Sequence, residues 1–296
     1  MITIPAKTIL TKRQDLSWFS MDYNMNIYKG CCHGCIYCDS RSDCYQIQDF
    51  DMVRAKENAL TIIRDELSRK TKTGVIGTGA MSDPYNPYEE KYQLSRQALK
   101  LIDDYHFGIA IATKSNLIAR DVDILQRISR HSPVLCKITV TAAEDALSKM
   151  LEPGVCESSK RFEAVKQLSE AGVFTGILMT PILPYINDTV QNVLEIVHKA
   201  HISGAKFIYA LFGVTLRFGQ REYFYHKLDQ LFPDQHLKEL YMKTFGNSYL
   251  CHNPKNKELY HIFAEECNKY GILYKMEDII RAYRYSYNYE QLSLFH

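Results

Sequence analysis

Residues 28–42 read YKGCCHGCIYCDSRS and place four cysteines, Cys31, Cys32, Cys35 and Cys38, within eight positions. The chain is 46% hydrophobic, so it does not need thiols to fill a core. Thiols this dense point to a metal. Cys31, Cys35 and Cys38 have the spacing C-x3-C-x2-C, which composition alone would produce in about one chain in a hundred. Three thiolates on one tight loop can hold three irons of a [4Fe-4S] cubane and leave the fourth without a protein ligand. An open iron can bind and activate a substrate, as an open zinc position does. Zinc itself wants four ligands. Cys32 or His33 could complete the set, but so short a loop closes a tetrahedron poorly, and no further C-x2-C pair lies elsewhere in the chain. Cys32, Cys35 and Cys38 also form a ferredoxin-like C-x2-C-x2-C.

Other residue types with chemical potential sit at regular intervals, each just after an apolar run. SDPYNPYE (82–89), TKS (113–115), TVTAAED (139–145) and TPILPYIND (180–188) are the clearest. The runs themselves read as strands over 25–30, 74–81, 107–115, 133–142, 173–184 and 205–214. Helical spacing of apolar residues intervenes at 53–70, 92–105, 120–130, 159–172 and 189–204. Gly172 closes one of these helices. Six strand–helix units over residues 22–215 imply a parallel sheet with helices outside. They can form a partial (β/α)6 TIM-type barrel or a doubly wound sheet. Either way, the loops after the strands converge on one face, where function sits. Residues 1–21 read as an N-terminal extension, 216–280 as a helical region and 281–296 as a Tyr-rich tail.

Bulk properties narrow the setting. Net charge is only +2, so any nucleic-acid contact must come from a local patch. No secretory signal or membrane-length apolar run is present, and nine cysteines, mostly clustered, do not read as a disulfide framework. The expected location is cytoplasmic, away from membranes. The segment 217–243 mixes Arg217, Arg221, Lys227, Tyr223 and Phe224 with acidic residues, and reads better as an ordinary amphipathic helix than as a nucleic-acid surface.

The C-x3-C-x2-C loop after a first strand, with Tyr37 before its last cysteine, resembles the radical S-adenosylmethionine superfamily. That resemblance selects Cys31, Cys35 and Cys38 as cluster ligands and leaves Cys32 as a small buried thiol. It implies a [4Fe-4S] cluster and S-adenosylmethionine, cleaved reductively to a 5′-deoxyadenosyl radical that abstracts hydrogen from a substrate. It also implies an electron donor such as flavodoxin or ferredoxin. With GTGAMSDPYNPYE (77–89) and TKS, the pattern over about residues 5–215 resembles the spore photoproduct lyase-like branch, also labelled DNA repair photolyase. The branch implies that Ser82 and Asp83 lie over the cofactor. It implies that Lys114 pairs with the cofactor carboxylate, that Thr139 binds a polar group and that Tyr37 meets the adenine. Plainer readings stand beside these: a turn before Pro84, a surface lysine, a β-branched strand residue. The photoproduct lyases carry a cysteine two residues before the serine, where this chain has Ala80, and an aromatic residue where it has Asp39. The radical-initiating parts therefore match while the substrate step differs. Tyr85 and Tyr88 are candidate hydrogen-atom carriers or packing aromatics.

Gln291-Leu292-Ser293-Leu294-Phe295 resembles the bacterial sliding-clamp-binding pentapeptide. Such a peptide can bury Leu292, Leu294 and Phe295 in an apolar groove while Gln291 hydrogen-bonds at the rim. Just before it, Tyr283, Tyr285, Tyr287 and Tyr289 recur at period two, as in an extended strand or a base-stacking surface. The reading is a radical enzyme acting on DNA or a nucleotide-linked substrate, recruited by the clamp. Two others compete: a radical enzyme modifying RNA, protein or a small molecule, and a non-enzymatic iron–sulfur or zinc protein associated with DNA.

Overall fold

The computed structural model describes residues 1–285 and 287. Its frame follows from a run of short strands that are apolar on both faces. Val134–Thr139 is buried at all six positions, as a strand must be when helices cover one side and a lumen the other. In chain order the strands are β1 (Ile2–Ile4), β2 (Leu10–Lys12), β3 (Tyr23–Met25), β4 (Tyr28–Lys29), β5 (Arg54–Lys56), β6 (Val75–Thr78), β7 (Gly108–Thr113), β8 (Val134–Thr139), β9 (Thr175–Ile182), β10 (Phe207–Thr215) and β11 (Leu250–His252). Six of them, β3-β6-β7-β8-β9-β10, pair in parallel. β2 and β11 add antiparallel edges to β3 and β10, and the two edges do not meet. The result is an open, partial barrel, one of the two arrangements that the strand–helix alternation allowed.

The helices are α1 (Ala59–Ser68), α2 (Glu89–Tyr92), α3 (Leu94–Asp104), α4 (Val122–Ile128), α5 (Asp145–Leu151), α6 (Ser158–Glu170), α7 (Val190–Ile202), α8 (Gln220–Leu231), α9 (Leu237–Phe245), α10 (Asn256–Tyr270) and α11 (Met276–Arg284). Those between strands lay one apolar face on the sheet, for example Ala98, Leu99, Leu101 and Ile102 of α3. The segment 217–243 forms α8 and α9, with Phe224, Leu228 and Tyr241 buried.

Three expectations are corrected. Residues 25–30 are not one strand: β3 ends at Met25, and Tyr28–Lys29 joins a separate three-stranded sheet, β1-β5-β4. Residues 54–56 extend to pair with β1 and β4, so the helix expected from residue 53 begins at Ala59. Tyr283 lies on α11 with its ring buried, so the Tyr-rich stretch does not begin as a strand. α11 closes the lower end of the barrel: Ile279 and Tyr283 pack with Phe19 and Phe207, and Arg284 reaches Asp22 at 3.1 Å. The pentapeptide 291–295 and Tyr289 lie outside the described residues.

Candidate active site

A cavity of about 380 Å³ opens at the C-terminal ends of β6 to β10 and runs into the lumen, a size that suits a small organic ligand. Cys35, Tyr37, Cys38, Asp83, Lys114 and Thr139 all line it. Cys31 is buried on the same loop. The backbone of that loop is fastened on three sides. Cys31 N donates to Phe50 O at 2.8 Å, Ile36 N to Leu151 O at 3.0 Å, and Gly154 N to His33 O at 2.9 Å. Gly30 has φ +81, and a Cβ there would lie 2.4 Å from the Met52 carbonyl oxygen, so the crossing requires glycine.

Below the loop lies a buried network that the sequence reading did not find. The Tyr37 hydroxyl donates to Glu152, and Arg161 Nη1 meets Glu152 Oε2 at 2.5 Å, with both side chains fully buried. Arg161 also donates to Thr139 O at 3.0 Å, Cys156 O at 3.0 Å and Ser148 Oγ at 3.1 Å. Burial and the Glu152 carboxylate push the Tyr37 phenol far up, which keeps its proton on the oxygen that donates. One ion pair thus ties the cysteine loop to α5, α6 and the end of β8.

Asp83 is the second anchor. Its carboxylate accepts from Thr113 Oγ1 at 2.6 Å, Lys114 N at 2.8 Å and Tyr85 N at 2.9 Å, and it lies 3.5 Å from His33 Nδ1. It caps the turn before Pro84 and also forms part of the cavity wall. Ser82 points elsewhere and donates to Gly30 O at 2.5 Å. Gly79, with φ +95, approaches β7 so closely that a Cβ would sit 1.8 Å from Ala112 O. The Lys114 ammonium lies 5.7 Å from the Tyr37 ring centre. Burial opposes its charge, but Cys35, Glu152, Cys38 and Asp83 outweigh burial and raise its pKa.

The two tyrosine candidates are not brought to this cavity. Tyr85 is buried against a second one of about 220 Å³, lined also by His33, Ser115 and Cys156, and Tyr88 is exposed. Ala80 does line the main cavity. So do Trp18 and Lys137, which the sequence reading passed over; a lysine inside the apolar run VLCKIT was the available signal.

The donor chemistry suits a cluster better than a single ion. Among the described residues no three His, Cys, Asp or Glu side chains converge on one ion position. A cubane takes each thiolate on a different iron and needs no such convergence. Beside the thiols, the Lys114 cation, the Asp83 carboxylate and the Thr139 hydroxyl offer partners for a zwitterionic cofactor.

Residues 25–200 match the model of the radical SAM superfamily, more than half of the chain. The chain belongs to that superfamily, and its cofactors are a [4Fe-4S] cluster and S-adenosylmethionine. An uncharacterized protein of Mycobacterium tuberculosis is 25% identical over 247 residues, 80% of this chain and 72% of that one. An uncharacterized protein of Methanocaldococcus jannaschii is 33% identical over 169 residues, 56% and 62% of the two chains. Among solved structures, a spore photoproduct lyase mutant with bound AdoMet and dinucleoside spore photoproduct superposes with a TM-score of 0.65. The identity is 16%, over 89% of this chain and 80% of that one, and the likeness bears on the fold. No helix among the described residues is long and apolar enough to cross a membrane.

Proposed function

We propose that this radical SAM enzyme acts on DNA or a nucleotide-linked substrate, with Cys31, Cys35 and Cys38 holding the cluster. The observation that carries the site is the convergence of Cys35, Cys38, Tyr37, Lys114 and Thr139 on one cavity at the strand ends. In this reading Lys114 receives the cofactor carboxylate and Thr139 a polar group. Tyr37 meets the adenine, and Asp83, with Ser82, fixes the loop that covers it. When bound, cluster and cofactor supply a 5′-deoxyadenosyl radical that takes hydrogen from the substrate. The chain's own part is to orient the cofactor and exclude water. Ala80 offers no thiol hydrogen to a product radical, so photoproduct lyase chemistry is not the activity proposed. The DNA assignment is supported by the motif order of residues 77–89, by the lyase-like fold, whose solved relative binds a dinucleoside photoproduct, and by the clamp-type peptide 291–295.

The test is anaerobic. The protein is reconstituted with iron and sulfide, reduced and given S-adenosylmethionine with and without DNA, and 5′-deoxyadenosine is quantified. Wild type should form product, faster with DNA. Cys31→Ala and Cys35→Ala should lose iron and product, whereas Cys32→Ala should keep its iron. A loaded wild type that yields no product under any of these conditions would overturn the reading. Iron kept by Cys31→Ala and lost by Cys32→Ala would shift the ligand register.

A further inference from the structure

Lys137 is 1% exposed, yet it lines the cavity. Alternation along β8 sends Leu135, Lys137 and Thr139 to the lumen, while Cys136 and Ile138 face the helices. Lys137 precedes Thr139 by two positions on the strand, so its Cα sits roughly 7 Å deeper than that of Thr139, which lies in the layer assigned to the cofactor. Its only hydrogen-bond partner among the described residues is the Met21 sulfur, 3.6 Å from Nζ, and it stands over the Phe19 ring at 4.6 Å. A thioether is a weak acceptor. Among the described residues no carboxylate pairs with it. Burial pushes the pKa down to about 7; Cys136 opposes this and Arg13 adds to it. A buried cation without an anion is costly, and such groups concentrate where a ligand is bound.

A second observation lies on the same wall. Trp18, half-buried, lines the cavity and packs edge-on against Phe19 and Tyr209, each at 4.8 Å. The next two residues, Phe19 (φ 52) and Ser20 (φ 48), are both left-handed, a strained state for a bulky side chain. The surroundings hold them there: the Tyr283 hydroxyl donates to Phe19 O, and Arg284 donates to Ser20 Oγ at 2.7 Å. This strained, over-determined turn carries Trp18 and Met21 to the cavity wall, and strain of this kind clusters at ligand clamps.

We propose that Trp18 and Lys137 form the substrate subsite: a planar heterocycle enters the barrel and packs against Trp18. An exocyclic carbonyl oxygen of that heterocycle then accepts a hydrogen bond from Lys137 Nζ in place of the Met21 sulfur. This rests on the nucleotide reading above, under which the ring is an oxygen-bearing nucleobase. Aromatic packing plus hydrogen bonds to the base edge is how enzymes read a base taken out of its stack. Trp18 is the chain's only tryptophan, so its fluorescence reports the subsite itself.

The reconstituted protein, saturated with S-adenosylmethionine, is titrated with a short oligothymidylate and with an abasic strand of equal length. The oligothymidylate should change Trp18 emission and the abasic strand should not. Lys137→Met, shown to be folded by circular dichroism, should weaken the oligothymidylate response about tenfold or more. Lys137→Gln, which still donates, should weaken it less. An unchanged affinity in Lys137→Met, or an equal response to the abasic strand, overturns the subsite alone. No response of wild type to either strand overturns it together with the DNA reading.

Discussion

Lys137 has a thermodynamic signature independent of any ligand. Its pKa falls from an ordinary lysine value of 10.5 to about 7 on folding. Between those values the unfolded chain binds a proton that the folded chain lacks, so stability rises with pH across that window. Below about pH 7 both states are charged and the full cost of burial is present, about 1.4 kcal/mol for each pH unit of displacement. Lys137→Met should therefore stabilise the protein by a few kcal/mol near pH 6, and the gain should shrink toward pH 10. Thermal or denaturant unfolding at both pH values checks this. A variant destabilised at pH 6, or a gain that grows with pH, would mean that the ammonium is paired. Stability gained where ligand affinity is lost is the trade expected of a binding residue.

At the scale of elements, the cysteine loop depends on segments far away in sequence. Glu152 follows α5 and Arg161 belongs to α6, and their ion pair receives the Tyr37 hydroxyl while Arg161 holds the β8 carbonyl of Thr139. Glu152→Gln leaves the Arg161 cation buried without its anion, a change that costs about 3–5 kcal/mol. We expect that loss in denaturant unfolding, with lower iron retention after reconstitution. The paired change Glu152→Leu with Arg161→Met should recover much of the stability, because an apolar pair replaces a buried ionic one at little cost. A Glu152→Gln variant within about 1 kcal/mol of wild type would show that the loop does not hang on this pair. None of this network was legible in the sequence. Leu151-Glu152-Pro153-Gly154 looks like any turn, and only tertiary packing makes Gly154 a close neighbour of the Cys32 carbonyl, 2.5 Å from where a Cβ would stand. The six parallel strands were legible because strands apolar on both faces and helices apolar on one leave different periods. The stretch 25–30 misled because both of its short strands have strand composition, and nothing local marks the step between two sheets.

At the scale of the whole molecule, the barrel has two unlike ends. The upper end opens onto the thiols and Lys114. The lower end is stopped by α11, whose Ile279 and Tyr283 pack with Phe19 and Phe207. Tyr287, the last described residue, donates from its hydroxyl to Ser129 O at 2.8 Å, just beyond α4 and before β8 begins. Tyr287 is therefore fixed at the closed end, only four positions before the proposed clamp-binding peptide Gln291-Leu292-Ser293-Leu294-Phe295. Under the proposed DNA reading, a clamp bound to this peptide would concentrate the enzyme on DNA through a linked second contact. Deleting residues 291–296 should abolish capture by the sliding clamp and leave 5′-deoxyadenosine formation on free DNA within about twofold of wild type. A pull-down with purified clamp, run beside the cleavage assay, separates the two functions. Retained capture by the truncated protein would remove the clamp from this account. Lost cleavage alongside lost capture would mean that the tail serves the barrel rather than a partner.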